Sequence, residues 1–218
     1  MEGYESDKEQ WEWVKAQVRD NGPAVLIAAA LSFAAIFGWR WWQSHQDQRL
    51  TAAGAKYTQM TQTLEHGDRA QALARLAELE RDYPGTPYTD QGRLLAARVY
   101  VDQGDLERAA SVLGAVVHES KDTELANVAR LRLARVEIAQ GKPDAALATL
   151  GSDPGKAAFA ANYHEVRGDA VYAKGDKAAA LEEYRRVLAF GGAAPLLQLK
   201  IAEVSAGAAP AAAAAATK

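Results

Sequence analysis

Residues 131–150 read LRLARVEIAQGKPDAALATL: a helical apolar pattern, the turn Gly141-Lys142-Pro143-Asp144, and a second helical apolar pattern. The same punctuation recurs at Gly67-Asp68-Arg69-Ala70, Gly104-Asp105-Leu106-Glu107 and Gly175-Asp176-Lys177-Ala178, so the turn glycines stand 37, 37 and 34 residues apart. Glycine takes the left-handed conformation that ends a helix. The next residue (Asp68, Asp105, Asp176) can cap the second helix, and Pro143 suits a first helical turn. Each turn is followed five residues on by alanine, at Ala72, Ala109, Ala146 and Ala180. The unit is helix, tight turn, helix, and the sequence predicts an all-α fold of about four such pairs.

A period near 34 with this geometry resembles the tetratricopeptide repeat. Gly168, Ala97 and Ala134 stand seven residues before a turn glycine, where that repeat packs helices closely over a small residue. Leu76, Leu113, Leu150 and Tyr184 occupy the bulky position nine residues after it. Leu79 and Pro84 fit the end of the first unit. Met60 replaces the small residue there, and the aromatic of the fourth position is absent (Lys56, Arg93, Arg130, His164), so these are degenerate copies. No single pair covers its own apolar face, and stacking of neighbours into an α-solenoid buries a continuous core. Residues 43–66 lead into the first pair and Pro195 to Ser205 cap the last. Beyond Ser205 the chain reads AGAAPAAAAAATK, a low-complexity tail expected to be disordered.

Outward from the repeats toward the N-terminus, residues 21–39 carry no charge, and residues 24–37 read AVLIAAALSFAAIF. Nineteen residues span roughly 28 Å as a helix, so with Arg40 to Trp42 residues 21–42 match the ~30 Å hydrocarbon core of a bilayer. Trp39, Trp41 and Trp42 suit the headgroup boundary, where Arg40 can snorkel. Asn21-Gly22-Pro23 is expected to stop one helix and start the next. A cleaved signal peptide is opposed by six acids against three bases before Asn21 and by Trp-Arg-Trp-Trp where small residues would be cut. Ser6 and Glu9 have capping-box spacing, and Trp11, Val14 and Val18 share a face, which suggests a helix over 7–19 lying on the membrane surface. Small residues align in two rows, Ala24, Ala28, Ser32 and Ala30, Ala34, Gly38. The flanking basic residues tie, Lys8, Lys15 and Arg19 against Arg40, Arg49 and Lys56, so charge alone leaves the orientation open.

The composition removes several kinds of chemistry. Among 218 residues, 28 acids and 25 bases give a net charge of −3 with 49% hydrophobic residues and no cysteine. This is globular composition without the clustered Lys and Arg that nucleic acid requires. The lack of cysteine excludes disulfides, thiol catalysis and iron–sulfur clusters. His164-Glu165 begins a zinc-protease motif, but Gly168 stands in place of the second histidine. The segment from Gly151 to Ala157 resembles a phosphate loop, yet it has three residues between glycines and ends in alanine. His45, His66, His118 and His164 are scattered and read as solvated surface. No catalytic residue, cofactor or metal is expected.

What remains is a binding face. Arg98, Arg135 and Asp169 hold equivalent places in successive first helices, and Arg93, Arg130 and His164 form another row. Side by side these rows would make a basic strip of Arg93, Arg98, Arg130, Arg132 and Arg135 facing Glu165 and Asp169. Solenoids use such inner surfaces for partners, although exposed arginines also pair locally with acids.

The stretches NGPAVLIAAALSFAAIFGWRWWQSHQ, LRLARVEIAQGKPDAALATL and VRGDAVYAKGDKAAALEEY closely resemble the YfgM family, the ancillary subunit of the bacterial SecYEG translocon, out to about Val204. The resemblance implies a single-pass protein of the bacterial inner membrane. Residues 1–20 would be cytoplasmic, 21–42 the span, 43–204 a periplasmic repeat domain and 205–218 the tail. It implies association with SecYEG and the membrane-anchored chaperone PpiD, and a non-enzymatic role in handing emerging secretory or outer-membrane proteins to periplasmic chaperones. Two alternatives differ in what the repeats do: an adaptor in envelope stress signalling, which uses the same surface, and a small-ligand receptor or enzyme with a concealed pocket.

Overall fold

The computed structural model describes the backbone of residues 3–152, 157–191 and 195–215; side chains at 3–10, 13–14, 16–25, 28–29, 157–158 and 207–215 lie outside that description. Among the described residues there are nine helices: α1 Gly3–Glu65, α2 Arg69–Asp82, α3 Pro87–Asp102, α4 Leu106–Glu119, α5 Thr123–Ala139, α6 Pro143–Leu150, α7 Ala157–Ala173, α8 Lys177–Ala189 and α9 Pro195–Ala215. The chain divides into two compact units, Met1–Ala52 and Ala53–Lys218.

In the first unit α1 runs through Asn21-Gly22-Pro23 without the expected break. Proline there removes one backbone donor and strains one turn, at about 3 kcal/mol. The alanine-rich sequence that follows has the highest helix propensity and carries the helix onward. From Leu26 to Trp42 the large apolar side chains point outward all round the helix. Leu26, Ile27, Leu31, Phe33, Ile36, Phe37, Trp39, Trp41 and Trp42 are each 52–73% exposed. Phe33 stacks on Phe37 and Trp39 leans on Trp42, pairs one helical turn apart. Among the described residues no helix is long and apolar enough to cross a membrane. The expected span lies partly outside those residues, as do the Ser6–Glu9 capping box and part of the small-residue row Ala24, Ala28, Ser32.

In the second unit the four predicted turns repeat one geometry. Gly67, Gly104, Gly141 and Gly175 have φ of 84°, 77°, 74° and 90°. Each glycine N–H donates three residues back, and the following N–H donates five residues back. At Gly104 these bonds run to Val101 (2.9 Å) and from Asp105 to Tyr100 (2.8 Å). That pair of bonds satisfies carbonyls which the helix end leaves open. Asp68, Asp105 and Asp176 then accept from the backbone N–H three residues on and start the next helix, whereas Lys142 makes no such bond.

The core is built in four clusters, and each is completed by the following pair. Ala53, Met60, Ala72, Leu76 and Leu79 are covered by Ala96 of α3. Leu94, Ala97, Ala109, Leu113 and Val116 are covered by Ala129, Leu133 and Val136 of α5. Leu131, Ala134, Ala146 and Leu150 are covered by Tyr163, Val166 and Ala170 of α7. Ala180, Tyr184 and Val187 are covered by Leu197 and Val204 of α9. Each pair therefore leaves an apolar face that the next helix covers, as the repeat pattern predicts, and α9 stands in the place of a next first helix. This helix continues to Ala215, past Ser205 where the folded domain was expected to end.

Candidate partner-binding groove

The open face between α3 and α5 holds a groove of about 320 Å³. Its floor is apolar: Leu94, Ala97 and Val101 come from α3, Leu106 and Leu113 from α4, Val136 and Ala139 from α5. Three arginines rim it, Arg98, Arg132 and Arg135. Arg132 and Arg135 are one turn apart on α5 and so share a face. Arg132 Nη1 donates to the Leu94 carbonyl at 3.5 Å, which lays the side chain across the groove. Arg98 is exposed and also borders a neighbouring depression of about 580 Å³ lined by Thr61, Leu64, Glu65, Arg69, Leu95 and Asp102.

Arg93 and Arg130 do not join this strip. Arg93 is only 15% exposed and is held by Glu80 of α2 and Glu119 of α4, both at 2.7 Å, with Asp90 at 3.9 Å. Burial pulls its pKa down, but the hydrogen bonds to Glu80 and Glu119 outweigh that and the net direction is up. Arg93 is an inter-helix tie. Arg130 Nη1 donates to Asn127 one turn earlier at 2.7 Å. The reason is angular: Arg93 and Arg98 are five residues apart, about 140° around a helix of 3.6 residues per turn. The expected five-arginine strip is a three-arginine cluster.

The acidic partners are also engaged. Glu165 lies 4.0 Å from Arg135 and 2.9 Å from Lys200 of α9. Asp169 accepts from Lys200 at 2.8 Å and from the Tyr184 hydroxyl at 2.8 Å. These carboxylates fasten α9 to α7 and α8, and only Glu165 reaches toward the arginine cluster. Burial, and next the Asp169 hydrogen bond, push the Tyr184 phenol well up from its ordinary range.

His164 corrects the surface expectation. It is 7% exposed, bonded through Nδ1 to Glu183 at 2.7 Å, and stacked on Phe190 at 5.6 Å. His45, His66 and His118 are exposed as expected. Among the described residues no group of His, Asp and Glu could hold a metal ion. Gly151 caps α6 with φ 62°, while residues 153–156 of the phosphate-loop-like segment lie outside the described residues. The groove floor escaped the sequence reading. Val101, 43% exposed beside a turn, is the residue whose apolar character could have signalled it.

Residues 15–206 match the family described as tetratricopeptide repeat-like domain. Three curated relatives are each named ancillary SecYEG translocon subunit. The protein of Escherichia coli (strain K12) is 34% identical over 114 residues, 48% of this chain and 55% of the relative. That of Aggregatibacter actinomycetemcomitans is 34% identical over 59 residues, 27% of this chain and 29% of its own. That of Haemophilus influenzae is 31% identical over 52 residues, 24% and 26% respectively. The chain spans about half the length of the first of these and less of the others, and the matches bear out the resemblance to the YfgM family. Among solved structures, MamA 41-end from Desulfovibrio magneticus RS-1 superposes with a TM-score of 0.61 at 16% identity, over 75% of this chain and 89% of that one. A MamA RS-1 double mutant gives 0.59 at 16% identity, over 71% and 83%. The likeness to MamA is one of fold alone; the matched residues, the four glycine turns and the stacked pairs make this chain a member of the tetratricopeptide repeat-like domain family.

Proposed function

We propose that this chain is an ancillary subunit of the SecYEG translocon that acts by protein–protein contact and catalyses no reaction. The observation that carries the reading is the rimmed groove on the α3–α5 face, set in a repeat fold whose curated relatives bear the translocon name. Residues 21–42 anchor the protein in the bacterial inner membrane. A helix that shows Leu, Ile, Phe and Trp on every side has no stable place in water, and a bilayer is the solvent that suits it. Trp39, Trp41 and Trp42 sit at the lipid boundary with Arg40. Residues 1–20 are cytoplasmic and 43–204 periplasmic. Beside the translocon exit the repeat surface gains effective concentration around an emerging chain and the chaperone PpiD, which favours transfer to periplasmic chaperones.

A photoreactive amino acid placed at Arg98 or Arg135 in living cells tests this reading. The expected result is adducts with translocon subunits or PpiD, and membranes yielding adducts with neither overturn it. Protease added to spheroplasts is expected to digest the repeat domain; full protection places that domain on the cytoplasmic side and refutes the topology.

A further inference from the structure

The groove between α3 and α5 combines two recognition chemistries. Its floor is aliphatic, with Leu94, Leu113 and Val136 buried and Val101 open to solvent. At about 320 Å³ it lies at the small end of the roughly 300–1,000 Å³ range of ligand pockets. That space suits one or two large side chains of a peptide. Above the floor, Arg98, Arg132 and Arg135 lie within one cluster. Among the described residues Arg98 has no hydrogen bond or ion pair, Arg132 reaches only the Leu94 carbonyl, and Arg135 touches Glu165 at the 4.0 Å limit of an ion pair. Arg93, by contrast, is consumed by its carboxylates. Glu65 and Asp102 lie on the α1 side of Arg98, and Glu165 stands on the α7 side of Arg135. Negative charge on a ligand is therefore attracted at the centre of the groove, where the three arginines gather.

We propose that this groove docks a short segment of a partner protein in which aliphatic side chains alternate with Asp or Glu. The aliphatic side chains seat on Val101, Leu106 and Ala139, the floor residues that solvent reaches above the buried Leu94, Leu113 and Val136, and the carboxylates meet the arginine forks. A guanidinium accepts a carboxylate through paired N–H donors, and charge-assisted bonds of this kind are the stronger ones. A phosphate strand would leave the apolar floor unused. The proposal rests on the partner-binding reading above and adds the chemistry of the partner.

The test uses the full chain in detergent micelles and a fluorescein-labelled peptide, Gly-Ser-Asp-Leu-Glu-Leu-Asp-Ser-Gly, followed by fluorescence anisotropy. Two controls replace the acids by Lys or the leucines by Ser. Each control is expected to bind at least about tenfold more weakly, the scale of one lost charge-assisted hydrogen bond. The R98A/R135A variant is expected to lose about tenfold for the acidic peptide, and V101D, which puts a carboxylate on the floor, to do likewise. Both changes fall on exposed side chains, and circular dichroism checks that helicity is kept. Equal binding of acidic and basic peptides, unchanged binding by R98A/R135A, or no binding at all overturns the proposal. If crosslinks from Arg98 to the translocon form while the peptide fails, the chemistry is wrong and the translocon reading stands. If the peptide binds as expected and those crosslinks are absent, the reverse holds.

Discussion

A methyl group added to Gly168 would stand 2.6 Å from Tyr184 Cε1 and 2.7 Å from Cδ1. Tyr184 is 2% exposed and its hydroxyl is fixed to Asp169, so the ring has nowhere to move. Overpacking of this kind costs roughly 1–3 kcal/mol, and G168A is expected to lower the urea midpoint accordingly. The chain itself supplies the control, because Ala97 is matched with Leu113 and Ala134 with Leu150. In a Y184L background the cost of G168A is expected to fall below about 1 kcal/mol, a coupling that a double-mutant cycle measures. An undiminished cost would show that the ring is not what limits the site. Both members of this pair were legible from their spacing to the turn. Gly92 was not. Its added Cβ would lie 3.1 Å from Leu76 and 3.5 Å from Met60, so the close approach missing at Met60 is supplied by a glycine of the next pair, a position that the repeat pattern does not mark.

At the scale of the element, three of the four turns start their second helix with an aspartate bonded to the backbone, while α6, only eight residues long, starts with Lys142 and no side-chain cap. K142D is expected to stabilise the domain by about 0.5–1 kcal/mol, since an Asp cap satisfies an open N–H and its charge suits a helix N-terminus. The Lys142–Glu107 pair that it removes is exposed and subtracts little. Thermal unfolding followed by circular dichroism reads the gain, and a lower midpoint would refute the capping argument. Turns of this kind are readable because a glycine and the residue after it suffice to define them. The continuity of α1 was not, because breaking residues argue locally for a stop while the alanine-rich sequence beyond them favours helix.

For the repeat unit as a whole, stability depends on each pair being closed by its neighbour, and α9 closes the last. Lys200 holds α9 through Asp169 and Glu165; burial pulls its pKa down, but the hydrogen bonds and charges of those two carboxylates together carry the net direction up. Tyr184 beneath it is shifted in the same direction. For both groups the folded pKa exceeds the unfolded one, so their contribution is fully present below about pH 10 and is lost as pH rises through the shifted values. Denaturation between pH 8 and 11.5 is expected to show stability falling above about pH 10. Y184F is expected to flatten that slope, because the phenol that stays protonated in the fold is gone. An unchanged slope in Y184F would assign the alkaline loss elsewhere.

The helix pairs, their four turns, the small and bulky positions within them and the apolar run near the N-terminus are properties of the amino-acid order alone. They depend on contacts a few residues apart, which spacing and residue type specify. Which arginines gather was decided by tertiary structure. Arg98 and Arg135 stand in equivalent repeat positions and meet across α3 and α5, whereas Arg93, a turn and a half away, points at Glu80 and Glu119. Likewise His164 looked like a surface residue until packing brought Glu183 and Phe190 around it. Such choices depend on the rotation of each helix against the next, and that angle is set by the packing of the entire stack.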